Sequence, residues 1–352
     1  MDNTAAVPPV VAIVSFRLGH PDGVSVEAAK WAAAFKALGF AVLTVAGAGK
    51  ADRLLPGLAI DATPPPTPVE LDGALADADL VVVENLCSLP LNRGAAAAVA
   101  CRLRGRPAIL HHHDLAWQRP PFTDVAAFPP TDPQWAHVTV NHRSRAELAT
   151  RGISAVVIPN CFDVDMPRGH RRRTRTTIGV EEHEPLLVQP TRAIARKNVP
   201  AALRLAEGIG ATYWLVGQAE DGYGPELDRL LSAAWVPVVH GLRAGLTMAD
   251  VYAAADAVAL PSTWEGFGNP TIESAIHRRP LAVGCYPVAK EIAAWGFRWF
   301  PADDHRPLAA WLASPDPSLH DANLAIATRH FSLTTLRRRL SHLLCARGWG
   351  AR

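Results

Sequence analysis

Pro261-Ser262-Thr263-Trp264-Glu265-Gly266-Phe267-Gly268-Asn269-Pro270-Thr271-Ile272-Glu273 is the stretch that decides the fold. Just before it, residues 257–260 (AVAL) form a short apolar run that reads as a buried strand. A glycine-bearing loop follows, and a helix is expected to start between Asn269 and Thr271. Pro270 suits a first helical turn, and Asn269 or Thr271 would cap it. Gly266 and Gly268 permit torsions that other residues resist and let backbone approach a ligand closely. Free amides at the positive end of the helix dipole would attract an anion. Two carboxylates bracket the loop, Glu265 before it and Glu273 inside the helix. A diphosphate held by the amides would leave one carboxylate near each end of its ligand, which suits a nucleoside diphosphate-sugar. Gly-x-Gly alone is better explained as a plain strand-to-helix turn; the paired Glu residues shift the balance.

Working outward, the same strand, loop and helix unit recurs on both sides. In the first half, residues 9–16 (PVVAIVSF) read as a buried parallel strand, 17–23 as a loop, 24–38 as a helix and 40–45 as the next strand. This is a βαβ opening. It lacks Gly-x-Gly-x-x-Gly, so the dinucleotide fingerprint is absent. The strand at 79–83 ends in Glu84-Asn85, and the one at 108–110 leads into His111-His112-His113-Asp114. A further strand ends at 138–141. Polar residues at the carboxyl ends of parallel strands commonly line a ligand crevice, though Glu84 and Asn85 suit a turn cap equally well. Neighbouring residues on an extended chain point to opposite sides, so of the three histidines at most His111 and His113 converge. Metal sites usually gather ligands from further apart, and no metal site is expected. Asp77-Ala78-Asp79 and Asp163-Val164-Asp165 read as chance occurrences of Asp-x-Asp at a strand edge and a linker. After the cationic run 168–175 (RGHRRRTR), read as a solvated interdomain linker, the pattern restarts. Strands are expected at 185–189, 212–216 with Gly217, and 237–240. Arg192 and Lys197 lie between the first of these and its helix.

Glu265-x7-Glu273, with Gly-Phe-Gly after the first Glu, resembles the signature of the retaining GT-B glycosyltransferases often called family 4. The resemblance implies an α/β fold of two Rossmann-like domains facing a cleft, with a last helix that returns to the first domain. It places an acceptor-binding domain at 1–166, a nucleotide-sugar-binding domain at 167–331 and the returning helix at 332–352. It implies that Arg192 and Lys197 grip the donor diphosphate and that Glu273 holds the ribose. Gly217, Gly266, Phe267, Gly268 and Asn269 would complete the donor site. Glu265 would contact the sugar and act in catalysis with His111, Arg192 and Lys197. On the acceptor side it points to Asp22, Gly23, Glu84, Asn85, His113 and Asp114. Where the family usually has paired glycines, this chain has Asp22-Gly23, a carboxylate suited to acceptor hydroxyls. Residues 155–163 (AVVIPNCFD) are similar to the segment that closes the family's first domain, with Cys161 in place of glycine.

A narrower likeness lies in 22–31, 84–92, 111–117 and 266–269 and is similar to the mannosylglucosylglycerate synthase type of enzyme. It implies transfer of a hexose from a donor of the GDP-mannose or UDP-glucose type to a small acidic glycoside such as glucosylglycerate. Fixed cations and amides would stabilise the departing diphosphate, so no metal or other cofactor is expected. A sugar-nucleotide epimerase of the same architecture and a nucleotide-sugar binding protein without turnover are the competing readings.

The bulk numbers agree. A chain of 352 residues suits two domains, and 49% hydrophobic content suffices for two cores. A net charge of +2 argues against a dedicated nucleic-acid binder. The five cysteines are scattered without Cys-x-x-Cys, as expected for reduced thiols in the cytoplasm. The N-terminus has no basic n-region, and the apolar run after it is too short for a membrane span. The expected partners are therefore a nucleotide-sugar donor and a small-molecule acceptor, with neither nucleic acid nor membrane; the oligomeric state stays open.

Overall fold

The computed structural model describes residues 7–350 apart from Pro21, Pro120, Pro121, Asp124 and Ala126. The chain divides into two compact units, one running to Cys161 and resuming at Leu333, the other Phe162–Ser332.

The first unit is a parallel sheet of β1 (Val10–Leu18), β2 (Ala41–Gly49), β3 (Arg53–Leu54), β4 (Leu80–Glu84), β5 (Ala108–His112), β6 (Trp135–Thr139) and β7 (Ala155–Val157). Their spatial order is β3-β2-β1-β4-β5-β6-β7. Helices cover both faces, which is why Val11–Val14 and Leu80–Val83 are apolar without alternation and fully buried. Trp31 and Phe35 of the helix Gly23–Ala37 pack on one face. The chain's last helix, Leu333–Arg347, joins them there through Leu336, Leu340, Leu343 and Leu344, spaced to form one apolar stripe. Leu71, Leu75, Ala96 and Val99 cover the other face.

The second unit repeats the plan with β8 (Leu186–Gln189), β9 (Thr212–Leu215), β10 (Val238–His240), β11 (Ala257–Leu260), β12 (Leu281–Val283) and β13 (Phe300–Pro301). The order is β10-β9-β8-β11-β12-β13, all parallel. In both sheets the chain crosses from one side of its first strand to the other, between β1 and β4 and between β8 and β11. Ligands of open α/β sheets bind outside the carboxyl ends of strands at such switch points.

Two expectations change. The second unit begins at Phe162, because the Phe162 amide donates to the Phe331 carbonyl at 2.7 Å and its ring stacks near Phe267. A boundary after residue 166 falls inside that unit. The cationic run is no linker: Arg171–Ile178 is a helix of the second unit. Arg175 is buried and donates to the carbonyl of Ala254 at 2.7 Å and to Asp256 at 3.3 Å, while Arg171 meets Asp256 at 2.8 Å. Among the described residues no helix is long and apolar enough to cross a membrane. All five cysteines are free thiols, and burial pushes Cys87 and Cys161 up to about 12, far from reactivity.

Candidate active site

Two loops meet at the switch point of the second sheet, residues 190–198 after β8 and 261–269 after β11. Hydrogen bonds join them: the Thr263 amide donates to the Arg196 carbonyl at 2.9 Å, and Asn198 Nδ2 to the Pro261 carbonyl at 3.3 Å. Buried Gln189, at the end of β8, shapes the first loop by donating to the Lys197 carbonyl at 3.0 Å while accepting from the Tyr213 hydroxyl at 2.7 Å.

Glu265 is the centre of this junction and is only 5% exposed. Lys197 Nζ donates to its Oε1, Ser262 Oγ donates to the same oxygen at 2.6 Å, and Arg196 Nη1 donates to Oε2 at 2.7 Å. Burial alone would raise the Glu265 carboxyl; Lys197 and Arg196 outweigh it and hold the group below the ordinary carboxylate value. Burial draws Lys197 below the ordinary lysine value, and Glu265 restores only part of the loss. The result is two fixed cations on one buried carboxylate.

Arg192 stands apart from that pair and donates to Glu220 at 2.6 Å, both side chains being well exposed. Its backbone is nevertheless pinned. The Ala193 amide donates to Gln218 O at 2.8 Å, and a Cβ on Gly217 would lie 2.4 Å from the Arg192 Cα. Gly217 therefore serves the close approach of two loops. Gly268 has φ +94° and sits where a Cβ would meet the Tyr286 hydroxyl at 2.2 Å. Glu273 accepts from the Tyr252 hydroxyl at 2.7 Å.

Phe267 is buried in an aromatic cluster with Phe162 and Phe331, so its ring belongs to the core. The helix cap expected at Asn269 or Thr271 is corrected here. Asn269 is the residue before the helix Pro270–Ile276, yet its side chain makes no cap. Thr271 lies within the helix, its hydroxyl donating to the Gly268 carbonyl at 2.7 Å. The amides of Thr271, Ile272 and Glu273 already donate to the carbonyls of Gly268 and Asn269 at 2.9–3.0 Å. Cations, rather than those first-turn amides, are what this junction offers an anion. Arg196 is the residue that sequence reading passed over in favour of its neighbours.

In the first unit the ends of β4 and β5 bring together Glu84, His111 and His113. Parallel register sets Glu84 beside His111. Both imidazoles reach one carboxylate oxygen, His111 Nδ1 at 2.9 Å and His113 Nε2 at 2.8 Å from Glu84 Oε2. Burial would raise Glu84, but the two histidines hold it down at about 2. Burial lowers His111 despite Glu84. Burial also opposes charge on His113, yet its hydrogen bond to Glu84 raises it above the ordinary histidine value. His112 points to the other face of the sheet, bonded to Ser88 at 2.6 Å and His137 at 3.0 Å.

His111 is fully buried and stacked on Trp31 at 4.1 Å, and His113, 9% exposed, is the more accessible of the two. Asn85 adopts φ 58°, and its Oδ1 accepts from the amides of His113 at 3.1 Å and Asp114 at 3.4 Å, which fixes that turn. Asp114 pairs with Arg119. Trp117 packs locally, its Nε1 donating to Glu147 at 2.8 Å with Arg151 over its ring.

The Asp22 carboxylate is engaged locally. It caps the helix Gly23–Ala37, accepting from the amides of Val24 and Ser25 at 3.1 Å, from Ser25 Oγ at 2.9 Å and from Arg17 Nε at 3.1 Å. Gly23 is merely the helix's first residue. Asp22→Ala is expected to cost about 1 kcal/mol in urea unfolding, with less than a twofold change in KM for the acceptor. A tenfold rise in KM at unchanged stability would return Asp22 to the acceptor site.

No family model matches the chain. It is 26% identical over 375 aligned residues to mannosylglucosylglycerate synthase of Petrotoga mobilis, covering 82% of this chain and 85% of that protein. To the Thermotoga maritima protein of the same name it is 26% identical over 326 residues, covering 76% of each. Among solved structures, HepE of Anabaena, in complex with UDP and glucose, superposes with a TM-score of 0.76 at 16% identity, covering 96% of this chain and 100% of that one.

Proposed function

We propose that this chain, which has the GT-B fold and glycosyltransferases among its relatives, moves a hexose from a nucleoside diphosphate-sugar to a small hydrophilic acceptor. The observation that carries the reading is the junction at the second sheet's switch point, where Lys197 and Arg196 are held by Glu265. A diphosphate leaving group gains negative charge as the glycosidic bond breaks. Cations already fixed in a largely dry site stabilise that change without reorganising. Arg192, on the same loop, adds a third positive charge, and Glu273 is the carboxylate for the ribose. Glu265 acts chiefly by positioning Lys197 and Arg196, both of its oxygens being engaged.

On the acceptor side, the rim of the first sheet offers His113, Asn85 and Asp114. Glucosylglycerate is the small hydrophilic acceptor that the names of the relatives suggest. The acceptor hydroxyl attacks the face the diphosphate leaves, with retention, and the departing diphosphate takes its proton. Side chains neutralise the diphosphate, so no metal is needed for its departure.

The test incubates the full chain with UDP-glucose or GDP-mannose, with and without glucosylglycerate. Nucleoside diphosphate and a new α-linked glycoside, formed only when both substrates are present, are the expected products. Change of the donor with no acceptor added would identify an epimerase instead. Stoichiometric binding of both donors without turnover would reduce the chain to a binding protein.

A further inference from the structure

We infer that Glu84, His111 and His113 form a binding site for a divalent transition-metal cation of the zinc class. The inference uses none of the residues assigned to the diphosphate; it shares only His113 with the acceptor side of the proposed reaction.

Histidines two apart on a strand project from the same face. Glu84 is the register partner of His111 on the adjacent strand, and neighbouring strands run about 4.8 Å apart. Three metal-ligating side chains thus occupy adjoining positions on one face, and one ligand atom from each lies within 4.8 Å of the other two. Tetrahedral zinc, with bonds of about 2.0–2.1 Å, spaces its ligands roughly 3.3 Å apart. The nitrogens of His111 and His113 sit 2.9 and 2.8 Å from the same Glu84 oxygen, so only small shifts would admit the ion.

One buried atom shows why hydrogen bonds alone leave the cluster incomplete: Glu84 Oε1 lacks a hydrogen-bond partner. A buried carboxylate oxygen left bare is costly, and a cation bound by the same groups removes that cost. Two imidazoles and one carboxylate suit zinc, and cobalt as its spectroscopic substitute, better than magnesium or calcium, which prefer all-oxygen shells. His113, the least buried of the three ligands, marks the side from which the ion would enter. The reasoning against a metal from sequence looked for ligands within one strand; the third ligand comes from the neighbouring strand.

The test uses tag-free full-length protein, stripped with EDTA and desalted, then titrated with Co2+. One equivalent is expected to bind with visible d–d absorption that added Zn2+ abolishes. His113→Asn should weaken Co2+ binding by roughly a hundredfold or more, while His183→Gln, at an exposed histidine of the other unit, should leave it unchanged. Because a variant that fails to fold reads nothing, imidazole 15N spectra of the wild type decide independently: Zn2+ should shift His111 and His113 and spare His183. Absence of stoichiometric absorption in the wild type overturns the inference. So does a band that survives His113→Asn, or Zn2+ shifts confined to exposed histidines.

Discussion

Lys197→Met is expected to lower kcat by roughly 100- to 1000-fold, the loss found when a single oxyanion-stabilising donor is removed. It should also lower stability by about 3 kcal/mol, because breaking a buried ion pair leaves an uncompensated charge. Here the orphan would be Glu265, 5% exposed and left with Arg196 and Ser262 alone. The two losses have different origins and can be separated. Adding Glu265→Gln removes the orphaned charge, so the double variant should regain much of the stability in urea unfolding. It should regain none of the turnover, because the cation that faces the diphosphate is still missing. Recovery of both together would mean that the pair matters only for folding.

Lowering the pH from 6.5 towards 4 is expected to weaken the first unit through its second histidine network. His112 and His137 are buried against each other at 3.0 Å, with the Ser88 hydroxyl on the other nitrogen of His112. Burial takes His137 from 6.5 down to about 4, and burial with the neighbouring His137 takes His112 well below its ordinary value. A depressed histidine is neutral in both states above pH 6.5. Below that the unfolded chain takes up protons that the folded chain refuses, so stability falls until the folded group titrates. For His137 alone the window from 6.5 to about 4 corresponds to about 3 kcal/mol. His113 works in the opposite direction, since its raised value favours the folded state as pH falls. His277, also at about 4, adds a similar dependence in the second unit. Urea unfolding of His137→Asn should therefore show a flatter dependence on pH than the wild type across this window. Parallel curves would show that the histidine pair does not set the acid limit.

The fold was legible because its strongest signals are local. Runs such as 11–14, 80–83 and 257–260 are apolar throughout, as strands covered on both faces must be, and Glu265-x7-Glu273 flags the loop at the second switch point. Where the reading failed, the deciding contacts are distant in sequence or the pattern is mixed. β6 opens on Trp135-Ala136-His137, a mixed start that nevertheless pairs in register with Ala108, Ile109 and Leu110. The helix Arg171–Ile178 was hidden by its charges, because nothing local shows that Arg175 turns inward to Ala254 and Asp256. Arg196 and Lys197 differ from Arg192 only in which partner the fold brings near: Glu265 for the first two and Glu220 for the third. Asp22 carried a sufficient local signal, an acidic residue directly before a helix, and the capping role was the simpler explanation. For Glu84, the convergence with His111 and His113 depends on strand order, which the sequence expresses only indirectly.

The most direct test of the account is a crystal structure of the chain with UDP or GDP bound. The account predicts diphosphate oxygens about 2.7–2.9 Å from Lys197 Nζ or the Arg196 guanidinium, at the carboxyl ends of β8 and β11. A nucleotide bound elsewhere, with Lys197 and Arg196 still closed on Glu265, would contradict it.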